Sequence, residues 1–481
     1  MIAEPNKITQ QFLPKVIYWI LGGLIASTAA ILFMTQPEQV TLLILFGAIF
    51  FLTLKNTRLG LHITLLLPLF GELVRLPITS STTVLVSDAI IPVIIAAWIF
   101  KNLTSAQTKS IFEGHSKNIS LALIIFVVVA GLSLLQSLTF LSFSEALGGS
   151  LYLVRYVQYA LLYFITLQSI ETEEQKKAVI TTMTIAAIGL AVAGFIQLAV
   201  YPDLAELEQF GYDPHINRLV SVWLDPNFVG GFLSFIASIL LGIGLHAEKN
   251  KSKVGIFLII AILSAAIFLT YSRSAYLAFA AGIFIISLLK SRKILLITIA
   301  LFLVGITVSD RAQERVGELT QSIVALAGDS VDTPDPTAKL RLESWRQTWS
   351  LIEKRPILGS GYNNLRTVNH QEGFTKEEST HSGSGSDSSL LTIAATTGIL
   401  GFIPFILIYI FALTSSFQIW HNNKNTPLNR GYALGILGGM FALLVHSIFV
   451  NSLLFAPILL FFWIALALLQ SPSKEQPTSR K

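Results

Sequence analysis

Long apolar stretches recur along the whole chain, separated by short polar connections. A transmembrane helix needs roughly 17 to 25 predominantly apolar residues, and the stretches are about that long. We therefore predict an all-α integral membrane protein with about 12 to 14 transmembrane helices. The predicted segments are 16–34, 38–55, 59–77, 82–100, 118–137, 146–170, 177–200, 227–246, 254–271, 273–289, 294–309, 388–417, 430–450 and 452–470.

Composition supports this class. The chain of 481 residues is 53% hydrophobic and only 13% charged, with a mean hydropathy of +0.67, whereas soluble domains have about 25% charged residues. It has no cysteine, which excludes disulfides and thiol chemistry. The formal charge of +5 is spread over many short connections, so it does not indicate a nucleic-acid partner.

The basic residues predict the orientation of the helices. If the N-terminus is cytoplasmic, every even-numbered connection is cytoplasmic, and each of these is rich in Lys or Arg, as the positive-inside rule expects. They are "KNTR", 101–117, "ETEEQKK", "EKNKSK", "KSRK" and "HNNKNTPLNR". We therefore predict a multi-pass protein of the inner or plasma membrane with both termini in the cytoplasm.

This orientation gives four predicted regions. They are an N-terminal transmembrane bundle of about 11 spans (1–309), an extracytoplasmic loop (310–386), C-terminal spans (387–470) and a cytoplasmic polar tail (471–481). Within the loop, Leu342, Trp345, Trp349 and Ile352 are spaced by three and four residues. That spacing predicts an amphipathic helix near 338–353 that lies on the outer face.

Two arginines in or beside spans are candidates for anion binding. Arg273, in "TYSRSAY", is placed at the outer end of a span. It is either a snorkelling interfacial residue or a fixed guanidinium fork for phosphate. Arg155 lies deeper within its span. It either lines a functional cavity or is paired with a carboxylate, for which Asp88 and Glu72 are the candidates.

Polar residues in the outer connections are further candidates. Asp225, followed by Pro226, is typical of a helix N-cap, and Arg218 just before it is a possible anion ligand. His215 has no neighbours at metal-ligand spacing, so no metal site is predicted. Directly after the loop, Asp387 suits either a helix cap or, like His381 within the loop, a general base for a hydroxyl acceptor.

Four motifs follow one another in the second half of the chain. They are "RLVSVWLDPNFVGGFL" from Arg218, "TYSRSAYLA" from Thr270, "RLESWRQTWSLIEKRPILGSGYNNLR" from Arg341 and "LLTIAATTGILG" from Leu390. In this order and spacing they resemble the family of O-antigen ligases and O-antigen polymerases. These are integral membrane glycosyltransferases that use polyprenyl-diphosphate-linked glycans.

The resemblance implies a fold of the glycosyltransferase C type and catalysis without a metal or other cofactor. It implies transfer of a glycan from a polyprenyl-diphosphate carrier to a hydroxyl on a glycan, glycolipid or protein acceptor, at the extracytoplasmic face. The diphosphate ligands would be Arg218 and Arg273, joined by Arg155 and Arg341, with Asp225, Asn227 and Asp88 in support. Arg341 is alternatively part of the solvated face of its helix.

The catalytic base is left open between two residues. The family's histidine stands at a fixed distance before the closing Thr-Gly, and in this chain that position is occupied by Asp387, whereas His381 lies six residues earlier. A different class of function also fits the composition. In a transporter or flippase for a small anion or a lipid-linked glycan, Arg155 and Asp88 would line a passage.

Overall fold

The computed structural model describes residues 37–73, 75–77, 83–104, 116–210, 212–308, 313–314, 317, 336–374 and 385–471. Fifteen helices of this part are used below. They are α1 Pro37–Lys55, α2 Thr57–Leu66, α3 Val86–Thr104, α4 Ser116–Ser137, α5 Phe143–Ser169, α6 Glu173–Val200, α7 Pro226–Gly244, α8 Asn250–Leu269, α9 Arg273–Lys290, α10 Arg292–Val308, α11 Pro336–Lys354, α12 Leu365–Gln371, α13 Ser389–His421, α14 Pro427–Phe449 and α15 Ala456–Gln470. Two short strands, β1 (Arg75–Pro77) and β2 (Thr83–Leu85), pair in antiparallel orientation.

The predicted all-α membrane fold is confirmed. Nine helices of the described part are long and apolar enough to cross a bilayer, and three shorter apolar helices accompany them at 41–55, 57–71 and 456–470. The predicted first span, 16–34, lies outside the described residues. Polar N-caps begin several spans, since Ser142 and Thr172 form capping boxes before α5 and α6.

The prediction of one continuous span at 59–77 is wrong. Helix α2 ends at Leu66 and is followed by a 3-10 segment over 67–73. Gly71 there has φ of 51°, and a Cβ on it would lie 2.1 Å from the carbonyl oxygen of Val222. The Trp223 indole donates to the carbonyl of Pro68 at 2.9 Å. The chain therefore turns at this point because the 221–223 segment packs directly against it.

Helices α7, α9 and α14 pack closely at the centre of the bundle. Their contact surfaces are rich in glycine, which lets helix backbones approach in a membrane. A Cβ on Gly242 of α7 would lie 2.3 Å from the backbone nitrogen of Gly435 on α14. One on Gly438 would lie 2.8 Å from the carbonyl oxygen of Gly282 on α9. This glycine packing fixes the positions of the helix ends that carry the polar groups described below.

Replacing Gly435 by alanine is expected to lower the free energy of unfolding by about 1 to 3 kcal/mol, because the new methyl group overpacks the contact. Its Cβ would lie 2.5 Å from the carbonyl oxygen of Ile239. Thermal unfolding in detergent measures the effect. Gly255→Ala on α8 is the matched control, since its Cβ would meet nothing within 4 Å. Equal unfolding temperatures for the two variants would contradict the packing described.

Helix α13 is broken at Gly398, which has φ of 61° and ψ of −169°. The backbone groups around the break pair with the 356–361 segment. Ser360 N and Gly361 N donate to the carbonyls of Ala395 and Thr396, and Ile399 N donates to the carbonyl of Pro356 at 2.8 Å. The "RPILGSG" and "TTGILG" motifs are therefore two sides of one hydrogen-bonded junction.

Candidate functional site

Several connections meet at one end of the bundle, which we call the polar corner and define by residues 218–227, 270–274, 385–392 and 446–452. Arg218 is held there against the end of α8. Its Nε donates to the carbonyl of Thr270 at 2.9 Å, and a terminal guanidinium nitrogen lies 3.4 Å from the carbonyl oxygen of Tyr271. Arg273 follows two residues later as the first residue of α9. The structure thus brings these two predicted anion ligands to the same turn.

Asp225 caps α7, as its position before Pro226 predicts. Its other predicted role, in support of the diphosphate ligands, stays a prediction. Its carboxylate accepts from the backbone nitrogens of Asn227 and Phe228 at 2.7 and 3.2 Å. Burial raises the pKa of Asp225, and this effect outweighs the hydrogen bonds and the positive charge of Arg218, which act in the opposite direction. Asp225 therefore fixes the start of α7 and lies within electrostatic reach of Arg218.

A buried cluster of hydroxyl groups surrounds His446 in the polar corner. Ser272 Oγ donates to Asn227 Oδ1 at 2.7 Å and lies 3.0 Å from Ser274 Oγ. Ser274 Oγ lies 3.3 Å from His446 Nε2, and Ser452 Oγ lies 3.0 Å from His446 Nδ1. The histidine is fully buried. This cluster links α7, α9 and α14 next to Arg273.

His446 was not among the predicted site residues. It could have been noticed in the sequence as a lone ionisable side chain near the end of a predicted span, in "ALLVHSIFVNS". Ionisable residues inside membrane segments are commonly functional. Gly231 of α7 provides the space for the ring, because a Cβ at Gly231 would lie 2.6 Å from His446 Cε1. The "VGGF" step after Asn227 is therefore part of the same arrangement.

Helix α11 lies over the polar corner. Ser344 Oγ donates to the carbonyl of Gly385 at 3.0 Å, and the Trp345 ring is 6.0 Å from that of Phe449. The positive charge of Arg341 on the same helix acts on the His446 imidazole. Trp349, predicted to share the apolar face, is 55% exposed. Thr348 and Leu351 are buried instead.

The first turn of α13 rests on the connection between α14 and α15. Ser389 Oγ accepts from Leu453 N at 3.1 Å, and Thr392 Oγ1 donates to Asn451 Oδ1 at 3.1 Å. Ser388 caps α13, and Asp387 lies just outside it, exposed and with φ of 50°. The alternative role of Asp387, as a possible base at the rim of the corner, stays a prediction. His381 lies outside the described residues.

Arg155 is paired with Asp88, one of the two carboxylates proposed for it. Arg155 Nε donates to Asp88 Oδ1 at 2.9 Å, and a terminal nitrogen donates to Asp88 Oδ2 at 2.6 Å. Tyr159 OH lies 3.3 Å from the same carboxylate, and the guanidinium lies 5.0 Å from the centre of the Tyr152 ring. These contacts connect α3 and α5. That Arg155 also contacts the diphosphate, with Asp88 in support, stays a prediction.

His215 is buried and lies within electrostatic reach of Arg218. Burial, reinforced by the charge of Arg218, lowers the pKa of His215 to about 4, so the imidazole is neutral at physiological pH. Among the described residues, no group of three or more His, Cys, Asp and Glu side chains could hold a metal ion.

Positively charged side chains and helix N-termini come together at the polar corner. Helices α7, α9 and α13 all begin there, and a helix N-terminus carries a partial positive charge of roughly half an elementary charge. Arg218 and Arg273 add two full charges within the corner, and Arg341 adds a third from α11, which lies over it. Guanidinium groups beside helix N-termini suit phosphate oxygens in charge and in donor geometry.

Part of the chain is similar to a known protein family. Residues 256–406 match the family model described as O-antigen ligase. The matched region contains Arg273, Arg341, Asp387 and the junction at Gly398, whereas Arg218 and His446 lie outside it. No curated protein matches the chain. The resemblance predicted from the four motifs is confirmed over residues 256–406, and this match to the O-antigen ligase family supports a membrane enzyme that transfers glycans.

Proposed function

We propose that the protein transfers a glycan from a polyprenyl-diphosphate carrier to a hydroxyl acceptor at the polar corner. The observation that carries this proposal is that Arg218 binds the carbonyls of residues 270 and 271, directly before Arg273, while the charge of Arg341 acts on the neighbouring His446. Arginines are disfavoured on the side of the membrane opposite the basic connections, according to the positive-inside rule. A bound diphosphate would compensate for their positive charge. The lipid chain of such a donor would lie in the bilayer beside the helices.

In this proposal the arginines stabilise the departing diphosphate. As the bond between the anomeric carbon and the diphosphate oxygen breaks, negative charge accumulates on the leaving group. Positive groups that are already in place stabilise this charge without reorganising in the transition state. The hydrogen bonds from Arg218 to the carbonyls of residues 270 and 271 help to fix its guanidinium, and the His446 cluster fixes the turn that carries Arg273.

The acceptor hydroxyl would be activated from the loop side. Its oxygen forms the new bond to the anomeric carbon, polyprenyl diphosphate leaves, and the hydroxyl proton passes to a general base. Asp387 and His381 are the proposed candidates for this base. Asp387 has the required exposure, and its backbone is held by Ser386 and Ser388, whose side chains are buried and hydrogen-bonded.

The charges of the opposite end support an extracytoplasmic site. There Lys176 donates to Asn429 at 2.8 Å and Lys290 lies 3.2 Å from His246. The basic connections gather at this end, which the positive-inside rule places in the cytoplasm. The outside would then be the side of the polar corner and of the 310–386 loop, which includes α11. Both termini would lie in the cytoplasm.

A transporter or flippase is the alternative class. The break of α13 at Gly398 would suit it, because transporters commonly bind their substrates at interrupted helices. However, the backbone groups around Gly398 are hydrogen-bonded to residues 356–361. The break therefore supports a packed contact between α13 and residues 356–361 better than it supports a path for a substrate through the membrane.

Glycan transfer in membranes containing His381→Gln or Asp387→Asn tests the proposal. Removal of a general base is expected to slow transfer by about 100- to 10,000-fold, so one of the two variants should show a loss of this size. Glu343→Gln, on the exposed side of α11, is the control for removal of a nearby carboxylate and should transfer normally. If wild type does not transfer from a polyprenyl-diphosphate donor, or if both variants match it, the proposed chemistry is wrong.

A further inference from the structure

A polar cavity lies at the end of the bundle opposite the polar corner. It has a volume of about 550 Å³ and opens between the ends of α1, α3 and α5 and the starts of α2 and α6. Among the residues that the structure describes, three cations line it, Lys55, Arg58 and Lys101, together with one carboxylate, Glu171. Nothing in the proposed transfer reaction uses this cavity, and its charge favours an anion.

The cavity wall is organised by hydrogen bonds. Asn56 caps α2 by accepting from Arg58 N at 3.1 Å and also lies 3.4 Å from Arg58 Nε, which holds this guanidinium close to the start of the helix. Lys101 Nζ lies 3.4 Å from Thr57 Oγ1. Two of the cations are thereby held beside the positive end of α2, where an anion gains from both.

The surroundings of the cavity indicate a membrane ligand. Phe51, Phe100 and Leu103 are 68%, 51% and 81% exposed, and they neighbour the lining residues in sequence. Trp98 also lines the cavity, with its indole nitrogen 2.7 Å from Gln168 Oε1. Tryptophan is enriched at the level of lipid headgroups. A ligand with an anionic head and apolar chains would satisfy both the cations and the exposed apolar side chains.

We propose that this cavity binds the phosphate group of an anionic membrane phospholipid. Basic pockets between transmembrane helices on the cytoplasmic side are suited to such headgroups. Free inorganic phosphate offers the same group without the apolar chains, so the two sources can be separated by experiment. The site is independent of glycan transfer and does not rest on the polar corner.

The test uses the purified full-length protein in an uncharged detergent. Short-chain phosphatidylglycerol, short-chain phosphatidylcholine and inorganic phosphate are titrated separately, and apparent affinities come from the ligand-dependent rise in unfolding temperature. The test variant is Lys55→Gln/Arg58→Gln/Lys101→Gln. The control Lys249→Gln/Lys251→Gln/Lys424→Gln removes three exposed charges at the same end but outside the cavity. Lys101→Gln alone serves if the triple variant does not fold.

Phosphatidylglycerol is expected to bind wild type and the control at least about tenfold more tightly than it binds the cavity variant. Phosphatidylcholine, whose headgroup has no net charge, should bind more weakly. If inorganic phosphate gives the same cavity-dependent stabilisation, the phosphate site stands but its source is free phosphate, which overturns the lipid assignment. If the cavity variant and the control respond equally to every ligand, there is no phosphate site.

Discussion

Arg273→Gln is expected to lower the turnover of glycan transfer by about 100- to 1,000-fold, the usual cost of losing one preorganised group that stabilises charge in a transition state. Arg273 begins α9, and the flanking Ser272 and Ser274 are both buried in the His446 cluster. Its backbone position is therefore fixed. Glutamine keeps much of the side-chain length and removes the charge, so turnover in membranes reports the electrostatic contribution directly.

Two further variants make this measurement specific. Arg273→Lys keeps the charge but loses the planar fork, and we expect it to recover only part of the activity. Arg346→Gln, at an exposed position of α11, removes an arginine near the site but outside the polar corner and should leave turnover unchanged. Arg273→Gln with normal turnover, or an equal loss with Arg346→Gln, would remove Arg273 from the proposed diphosphate site.

Gly398→Ala is expected to destabilise the fold by about 3 kcal/mol or more, because backbone strain and steric overlap act together. With φ of 61° and ψ of −169°, Gly398 occupies a region that is almost restricted to glycine. A Cβ there would lie 2.2 Å from the carbonyl oxygen of Ile357. Relief of that overlap would break the hydrogen bonds between α13 and residues 356–361. The yield of folded protein and its unfolding temperature measure the effect.

Gly131→Ala is the matched control for this substitution. Gly131 lies within α4, which packs against α13, but a Cβ at Gly131 would meet nothing within 4 Å. We expect this variant to unfold at or slightly above the wild-type temperature, since alanine is favoured over glycine inside a helix. Unchanged stability in Gly398→Ala would show that the junction is not required to hold α13.

The spans could be predicted from sequence because the bilayer imposes one length and one polarity on each of them. The interruptions could not. Gly71 and Gly398 look like ordinary glycines in apolar segments, and their turns exist because distant backbone, at Val222 and Ile357, packs against them. Hydropathy contains no information about contacts between segments so far apart in the chain.

The sequence predicts those parts of the candidate site in which a single charged residue stands at an unusual position in or beside a membrane span. Arg218 and Arg273 were identified as external arginines, and the structure brings them to one turn. His446 was missed because its importance comes from its neighbours Ser274 and Ser452 on other elements. The helical spacing on α11 selected Trp349, which is exposed, whereas Thr348 and Leu351 are buried. Two other members of the predicted apolar face do pack, since Ile352 contacts the Leu351 cluster and Trp345 contacts Phe449.

Reconstitution tests the central claim most directly. Purified protein in vesicles is given a polyprenyl-diphosphate donor with a labelled glycan and an acceptor that carries a free hydroxyl. The account predicts that the label moves to the acceptor, that one polyprenyl diphosphate is released per glycan transferred, and that Arg273→Gln suppresses both. Movement of the intact labelled donor to the other leaflet, with no labelled acceptor formed, would contradict it.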